Sequence, residues 1–375
     1  MTEVFKQTPI ATAVKRITLC AATTALLTSA SMAQALEVKI GGYVKADAIY
    51  DLDQDLGASL AASAVDTSPG AASDPSFQMH AQQSRLNVTA TEGDIKVFVE
   101  GDFFGGGGNE VVSNSNHFRI RHAYGQAGNF LAGQTWSTFM DKNWVLYPAT
   151  VDFGGPAGAT FIRQAQFRWS INDGLDFSIE NPENRVRDGV VAATVRDTLP
   201  DVILRYAKSG DISWQVAGLF QQFEVDSGAA AGESESNFGY TGGINFALGE
   251  GSSISVKANV NSNRYTYYGF SNPAAVVSGS SIELIDHTAV VAAWNIGWGG
   301  KSNGQTTIAV GQVSFDDDFL APTDADNIST IHVNYRWDPW ENVTFGAEVS
   351  VADREDVNGD SGDATRLQFA TQFNF

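Results

Sequence analysis

From residue 36 onward the apolar and polar positions of the chain alternate with a period of two, and no 3.6-residue apolar stripe is present. The clearest run is the last, "TRLQFATQFNF". Leu367, Phe369, Thr371, Phe373 and Phe375 share one face, and Arg366, Gln368, Ala370, Gln372 and Asn374 share the other. Val343, Phe345, Ala347, Val349 and Val351 oppose Thr344, Gly346, Glu348 and Ser350 in the same way. Ile254, Val256, Ala258 and Val260 oppose Ser255, Lys257, Asn259 and Asn261, and Ile331, Val333, Tyr335 and Trp337 oppose His332, Asn334 and Arg336. Such runs predict β-strands that put one face in an apolar medium and the other against water.

The spacing of breakers orders these strands. Short turns are expected at Glu92-Gly93-Asp94, Ala127-Gly128-Asn129, Asn172-Asp173, Ser209-Gly210-Asp211, Gly249-Glu250-Gly251, Lys301-Ser302-Asn303 and Asp338-Pro339-Trp340. Long connections fall between them, near 53–76, 105–115, 138–162, 184–200, 226–236, 269–283, 317–326 and 354–363. Short turns alternating with long loops are the mark of a transmembrane antiparallel β-barrel, and this number implies about sixteen strands, wide enough for an aqueous channel. The all-β reading therefore makes residues 36–375 one barrel domain. Phe130, Trp169, Phe246, Trp298, Trp337 and Trp340, near the short turns, are candidates for an aromatic girdle at the membrane interface.

The first 35 residues differ in kind. Lys6, Lys15 and Arg16 precede the apolar run from Ile17 to Leu27, and "SASMAQA" ends in the small-x-small pattern Ala33-Gln34-Ala35. This predicts a signal peptide cleaved after Ala35. The single cysteine, Cys20, lies inside it, so the remainder has neither disulfide nor thiol chemistry. No later segment reaches the 18 or so consecutive apolar residues of a membrane helix.

With 43 acidic against 23 basic side chains, the net charge of −20 argues against a nucleic-acid partner. Many acids cluster in stretches that read as solvated loops, such as "DLDQDLG" (51–57) and "DREDVNGDSGD" (353–363). Asp356, Asn358, Asp360 and Asp363 in the second are weak calcium candidates, able to bridge divalent ions to lipopolysaccharide. No cofactor is implied.

Alternation places chemistry on the wet face. In "NHFRIRHAYGQAGNFLAGQTW" (116–136), Phe118, Ile120 and Tyr124 fall towards lipid and Arg119 and Arg121 towards the lumen. His122 falls on the lipid parity without evident reason. Arg85, Glu100, Asp102, Arg119 and Arg121 lie at similar spacing from the turns at Gly93 and Gly128, which predicts a belt of charges on three adjacent strands. Lys45, Asp47 and Arg366 extend it across the barrel closure, and Arg168 and Arg205 are inward but lower. The loop 138–162 contains Trp144, Tyr147, Pro148 and Phe153 and few charges, so it is expected to fold into the lumen as a constriction. Arg163 at its end then faces the constriction despite an outward parity. Uncompensated arginines in such a ring attract anions, whereas fully paired ones merely satisfy a polar wall.

The stretches "IGGYVKADAIYD", "QSRLNVTA", "VEGDFFG", "FRIRHAYGQAGNFLAGQTWSTFMD", "RQAQFRWS" and "SIENPE" resemble those of the DcaP-like outer-membrane porins. The resemblance implies a 16-stranded trimeric channel in the outer membrane of a Gram-negative bacterium, passing small organic anions, dicarboxylates especially. It makes Arg85, Arg119 and Arg121 pore-lining and puts Trp136 near the constriction. The final Phe375 resembles the signal read by the barrel assembly machinery. One departure is that no periplasmic coiled-coil extension precedes the first strand, as it does in some members. Three rival readings remain: a general non-selective porin whose ion pairs are structural, a structural or adhesive barrel, and a barrel hydrolase. For the hydrolase, the five histidines are scattered, His332 alone has clear inward parity, and no Ser or Asp is expected at its depth.

Overall fold

A computed structural model describes residues 36–108, 113–142, 146–189, 191–300, 303–316 and 318–375. The predicted signal segment, Trp144 and the turn residues Lys301 and Ser302 lie outside the described residues. In chain order the strands are β1 (Glu37–Asp51), β2 (Ser76–His80), β3 (Arg85–Glu92), β4 (Ile95–Asp102), β5 (Arg119–Ala127), β6 (Phe130–Trp136), β7 (Arg163–Ser170) and β8 (Leu175–Glu180). Next come β9 (Val186–Asp188), β10 (Val191–Ala192), β11 (Asp201–Lys208), β12 (Ile212–Glu224), β13 (Ser234–Gly249) and β14 (Ser252–Val260). The chain finishes with β15 (Ala275–Ser278), β16 (Ser281–Leu284), β17 (His287–Gly297), β18 (Gln305–Phe315), β19 (Ala325–Trp340), β20 (Val343–Asp356) and β21 (Ser361–Asn374).

All but β9, β10, β15 and β16 join one antiparallel sheet, which closes where β21 pairs with β1 from Tyr43↔Asn374 to Asp51↔Arg366. Strands β2 and β3 lie end to end against the upper and lower halves of β1, so they are two pieces of one wall strand and the barrel has 16 positions. Closure leaves no sheet edge in the hydrocarbon, where each unpaired backbone group costs several kcal/mol. The side-chain alternation follows: on β21 Leu367, Phe369 and Phe373 are exposed outwards, and Arg366, Gln368 and Ala370 are buried inwards. Among the described residues no helix is long and apolar enough to cross a membrane, which says nothing against crossing by strands. Of the girdle residues, Trp169, Phe246, Trp298 and Trp340 are exposed, and Phe130 packs at a tilt against Trp169, 4.8 Å between ring centroids.

Two expected connections differ. Asp338, Pro339 and Trp340 belong to β19, and the turn comes later, at Asn342 with φ 62°. Pro339 has no N–H to give the ladder and sits in the register irregularity between Trp337 and Trp340, so the strand tolerates it there. The expected long loop 354–363 is instead a tight hairpin tip, because β20 and β21 remain paired up to Glu355↔Ser361.

At the long-loop end the inner face is less polar than expected. Ala289, Val313, Phe315, Ile328, Ala352 and Ala364 face inwards and pack against Leu56, Leu60, Ala62 and Val65 of the first long loop. A loop folded over the mouth supplies an apolar medium on the inside, so the alternation there no longer separates lipid from water. Strands β9, β10, β15 and β16 form a small rim sheet, with β9 and β15 parallel, over Val186, Phe223, Val225 and Ile282. Arg187 ties this rim to Asp324 through a bidentate pair, Nη1 to Oδ1 at 2.7 Å.

Candidate functional site

The loop from Ser137 to Ile162 turns into the barrel and is held on several sides. Thr138 N donates to Glu180 Oε1 (2.8 Å) and Arg205 Nη1 to the Met140 carbonyl (2.8 Å). Asp141 and Thr160 both bond to the Lys257 ammonium. Across the lumen, Val151 N donates to Glu348 Oε2 at 2.7 Å, Lys45 Nζ to the Val151 carbonyl at 2.6 Å, and Ala157 N to Thr330 Oγ1 at 2.8 Å. Glu348 is itself fixed by His332 Nδ1 (3.1 Å), Asn334 Nδ2 (3.0 Å) and Ser350 Oγ (3.0 Å). Burial pushes the Asp152 carboxyl in this loop up, with Arg366 opposing the shift.

The arginine cluster is built by a β-bulge. Glu100 pairs with His122 and Gly101 with Ile120, so Arg121 is an extra residue without a partner on β4. The parity of β5 therefore changes at this point. Arg119 and Arg121 point inwards above the bulge, and His122 and Tyr124 below it. This corrects the expectation that Tyr124 meets lipid: it packs on Phe98 at 5.7 Å, and both line the interior cavity. It also explains His122, whose Nδ1 lies 3.0 Å from Thr135 Oγ1 inside the barrel. Phe118 and Ile120 remain outward.

Arg121 Nε donates to Glu100 (3.0 Å) and its Nη1 to Asp102 (2.7 Å), leaving the side chain 1% exposed. Arg119 Nε donates to Asp102 at 2.7 Å but keeps 34% exposure. Arg85 meets Glu100 at only 3.7 Å, is 25% exposed, and has a buried Nε without a partner. The loop covers the cluster with one ring: the Arg119 and Arg121 guanidiniums lie 5.4 and 5.6 Å from the centroid of Phe153. Arg163 stacks on Trp136 at 4.6 Å and lies 5.9 Å from Phe161, so it faces the loop despite its formal parity.

Beneath these residues is a cavity of about 800 Å³. Its wall includes Lys45, Arg85, Arg121 and Arg336 against Glu100 and Asp152, a cationic excess of two. Behind this wall Arg119 pairs with Asp102, Lys45 with Asp47, Arg163 stacks on Trp136, and Glu348 sits against Val151 N. A positive interior within a chain of net charge −20 is an arrangement, not a consequence of composition.

Other expected site residues are placed differently. Arg366 is fully buried, bonded to Asp51 through Nε (2.7 Å) and Nη2 (2.8 Å) and to the Gly57 carbonyl, so it knots the closure and presents no surface to a solute. Asp47 is buried between Lys45 (3.0 Å) and Gln368 (2.8 Å). Arg205 is buried against Asp176 at 2.8 Å, and Arg168 bonds to Gln166 and the Trp136 carbonyl. The calcium candidates do not converge. Asp356 is taken by Arg354 and Thr67, Asn358 and Asp360 bond each other across the tip, and among the described residues no three His, Cys, Asp or Glu side chains group as ligands. Sequence reasoning missed Glu348 and Arg336 as site residues, since each reads as one more polar member of an alternating strand.

A 16-stranded closed barrel with an inserted loop and a charged inner wall is the architecture of an outer-membrane channel. A family profile described as DcaP outer membrane protein matches residues 12–375, and the chain belongs to this family of the Gram-negative outer membrane. The barrel is similar to the crystal structure of the outer membrane channel DcaP of Acinetobacter baumannii, with a TM-score of 0.80 at 21% identity over 91% of this chain and 98% of that one. It is also similar to an anion-selective porin from Comamonas acidovorans (TM-score 0.56, 13% identity, 91% and 100% covered) and to OmpT of Vibrio cholerae in a trimer form (0.51, 12%, 91% and 100%). No curated protein matches the chain.

Proposed function

We propose that this channel is a passive diffusion pore that prefers small organic anions, dicarboxylates among them, selected beside the constriction loop by inward arginines. The observation that carries this reading is the cationic excess of two in the wall of the 800 Å³ cavity. Arginine suits the task, because it stays charged and offers a planar fork to a carboxylate. Exposure ranks the residues. Arg85 and Arg119 retain surface for a solute, whereas Arg121 is occupied by Glu100 and Asp102 and sets the geometry. Family membership supports assembly as a homotrimer within lipid and lipopolysaccharide, as does a structural neighbour solved as a trimer. Phe375 is proposed as the residue read by the barrel assembly machinery. The structural neighbours are channels and porins, which favours passage of solutes over their chemical conversion.

The test is the reversal potential of purified protein in a planar bilayer under a potassium chloride gradient. An anion-selective potential that falls in Arg85→Gln and Arg119→Gln is expected. Cation selectivity of the unaltered channel would overturn the reading, and the non-selective alternative predicts a potential near zero in all three.

A further inference from the structure

We infer that Arg336 is a second anion-docking post, one that hands solutes from the arginine-lined cavity to the short-turn end of the channel; this rests on the anion-channel reading above. Arg336 lies on β19 opposite Gly346 of β20, and Gly346 lies opposite Ala370 of β21. All three line the 800 Å³ cavity, with Val151 of the constriction loop packed over Gly346, so the guanidinium borders open volume at the foot of that loop. A second hollow of about 780 Å³ opens towards the short turns and shares Arg336 and Thr344 with the first. Among its described lining residues Arg336 is the one cation, facing Glu250 and Asp338.

The guanidinium is under-used by the fold. Its Nη2 donates to the neutral Gln305 Oε1 at 3.1 Å, its Nε is buried without a partner, and among the described residues no carboxylate is within ion-pair distance. The facing acids are committed elsewhere. Glu348 holds Val151 N and Asn334, and Asp338 accepts from Thr344 Oγ1 at 2.8 Å. A half-buried cation with donors to spare, beside open volume, takes a mobile anion as its partner. Without it, an anion leaving the upper cavity meets only Glu250 and Asp338 in the described wall of the lower hollow.

A unit charge about 6 Å from a permeating ion in water-like surroundings changes the anion-to-cation ratio about tenfold, and screening at 0.1 M salt leaves about threefold. Bilayer reversal potentials at 0.1 M mean potassium chloride test this, with folding checked by heat-modifiable electrophoretic mobility. Arg336→Gln is expected to lower the chloride-to-potassium permeability ratio about threefold, and Arg336→Lys to restore it. Gln305→Glu, which sets a carboxylate against the guanidinium, is expected to give the same fall without altering Arg336, and covers the case in which Arg336→Gln fails to fold. An unchanged ratio in Arg336→Gln or Gln305→Glu, while Arg85→Gln lowers it, would overturn the post and leave the anion reading standing. Failure of Arg336→Lys to restore the ratio would assign Arg336 a structural role instead. A cation-selective unaltered channel would remove the underlying reading itself.

Discussion

Truncation of Glu348 to alanine tests whether the constriction loop is latched from the far wall. Glu348 accepts from Val151 N at 2.7 Å and more weakly from Asp152 N at 3.4 Å, and it orients Asn334, which donates to the Ala149 carbonyl at 2.8 Å. A hydrogen bond to a charged acceptor contributes about 1.5–3 kcal/mol, so one strong bond, one weak bond and a disoriented amide give a loss of about 3 kcal/mol in docking residues 149–152. That shifts the local docked-to-undocked ratio by about a hundredfold. The loop stays in the lumen, because Ala157 still bonds Thr330 and Lys257 still holds Asp141 and Thr160. The barrel stays closed, because the strand ladders do not use this carboxylate. Single-channel recording in 1 M salt, where charge effects are screened, should show higher conductance and more open-channel noise than the parent. Glu348→Gln, which loses the charge but keeps one amide acceptor, should fall between. Parental conductance and noise in Glu348→Ala would refute the latch.

Gly346→Val should reduce conductance in 1 M salt, since a Cβ at that position lies 2.8 Å from Val151 Cγ2 and drives the loop into the cavity; an unaltered value would show that the cavity is off the ion path. At the rim, burial raises the Asp324 carboxyl, but hydrogen bonds from Arg187 and the Ala321 amide outweigh it and hold the group below its ordinary value. The pair therefore stabilises the folded rim above the unfolded-state pKa near 4, and this contribution is lost as pH falls through the folded value. Limited proteolysis should find the parent rim resistant at pH 7 and sensitised by acid, and Asp324→Asn already sensitised at pH 7. Equal resistance of the two proteins at pH 7 would sink the argument.

How far the molecule can be read from its sequence depends on which partner decides each feature. The barrel walls are legible because lipid and lumen impose the same alternation along every strand, as Leu367, Phe369 and Phe373 against Arg366 and Gln368 make plain. Insertion of the loop is legible too, since Tyr147, Pro148 and Phe153 are poorly suited to a solvated surface. What those side chains are tied to is not. Glu348 and Arg336 differ from any wall residue only in their neighbours across the lumen, the amides of Val151 and Asp152 for one and an open cavity for the other. Arg366 and Arg85 look alike in sequence, yet one is consumed by Asp51 and the other has a donor to spare.

The bulge is the sharpest case, because a single extra residue carries no side-chain signature and yet reverses the faces of everything beyond it. The register makes a prediction about chain length itself. With Glu100↔His122 and Gly101↔Ile120 paired, removal of Arg121 leaves a strand of unbroken alternation in which Tyr124, His122 and Arg119 point inwards and Ala123 and Ile120 outwards, as they do now. Deletion of Arg121 is therefore expected to give a folded barrel by heat-modifiable mobility. It carries a selectivity loss, because Glu100 and Asp102 then face only Arg85 and Arg119. Deletion of Ala123, which pairs with Val99, is the control. It removes a residue from the regular part of the strand, so it must either send Tyr124 towards lipid or consume the bulge. The two deletions should thus differ in folding yield, with the Arg121 deletion the higher. Equal yields, or a barrel lost only when Arg121 is removed, would mean that the inward pair of Arg121 and His122 is held by ion pairing and not by the count of residues along β5.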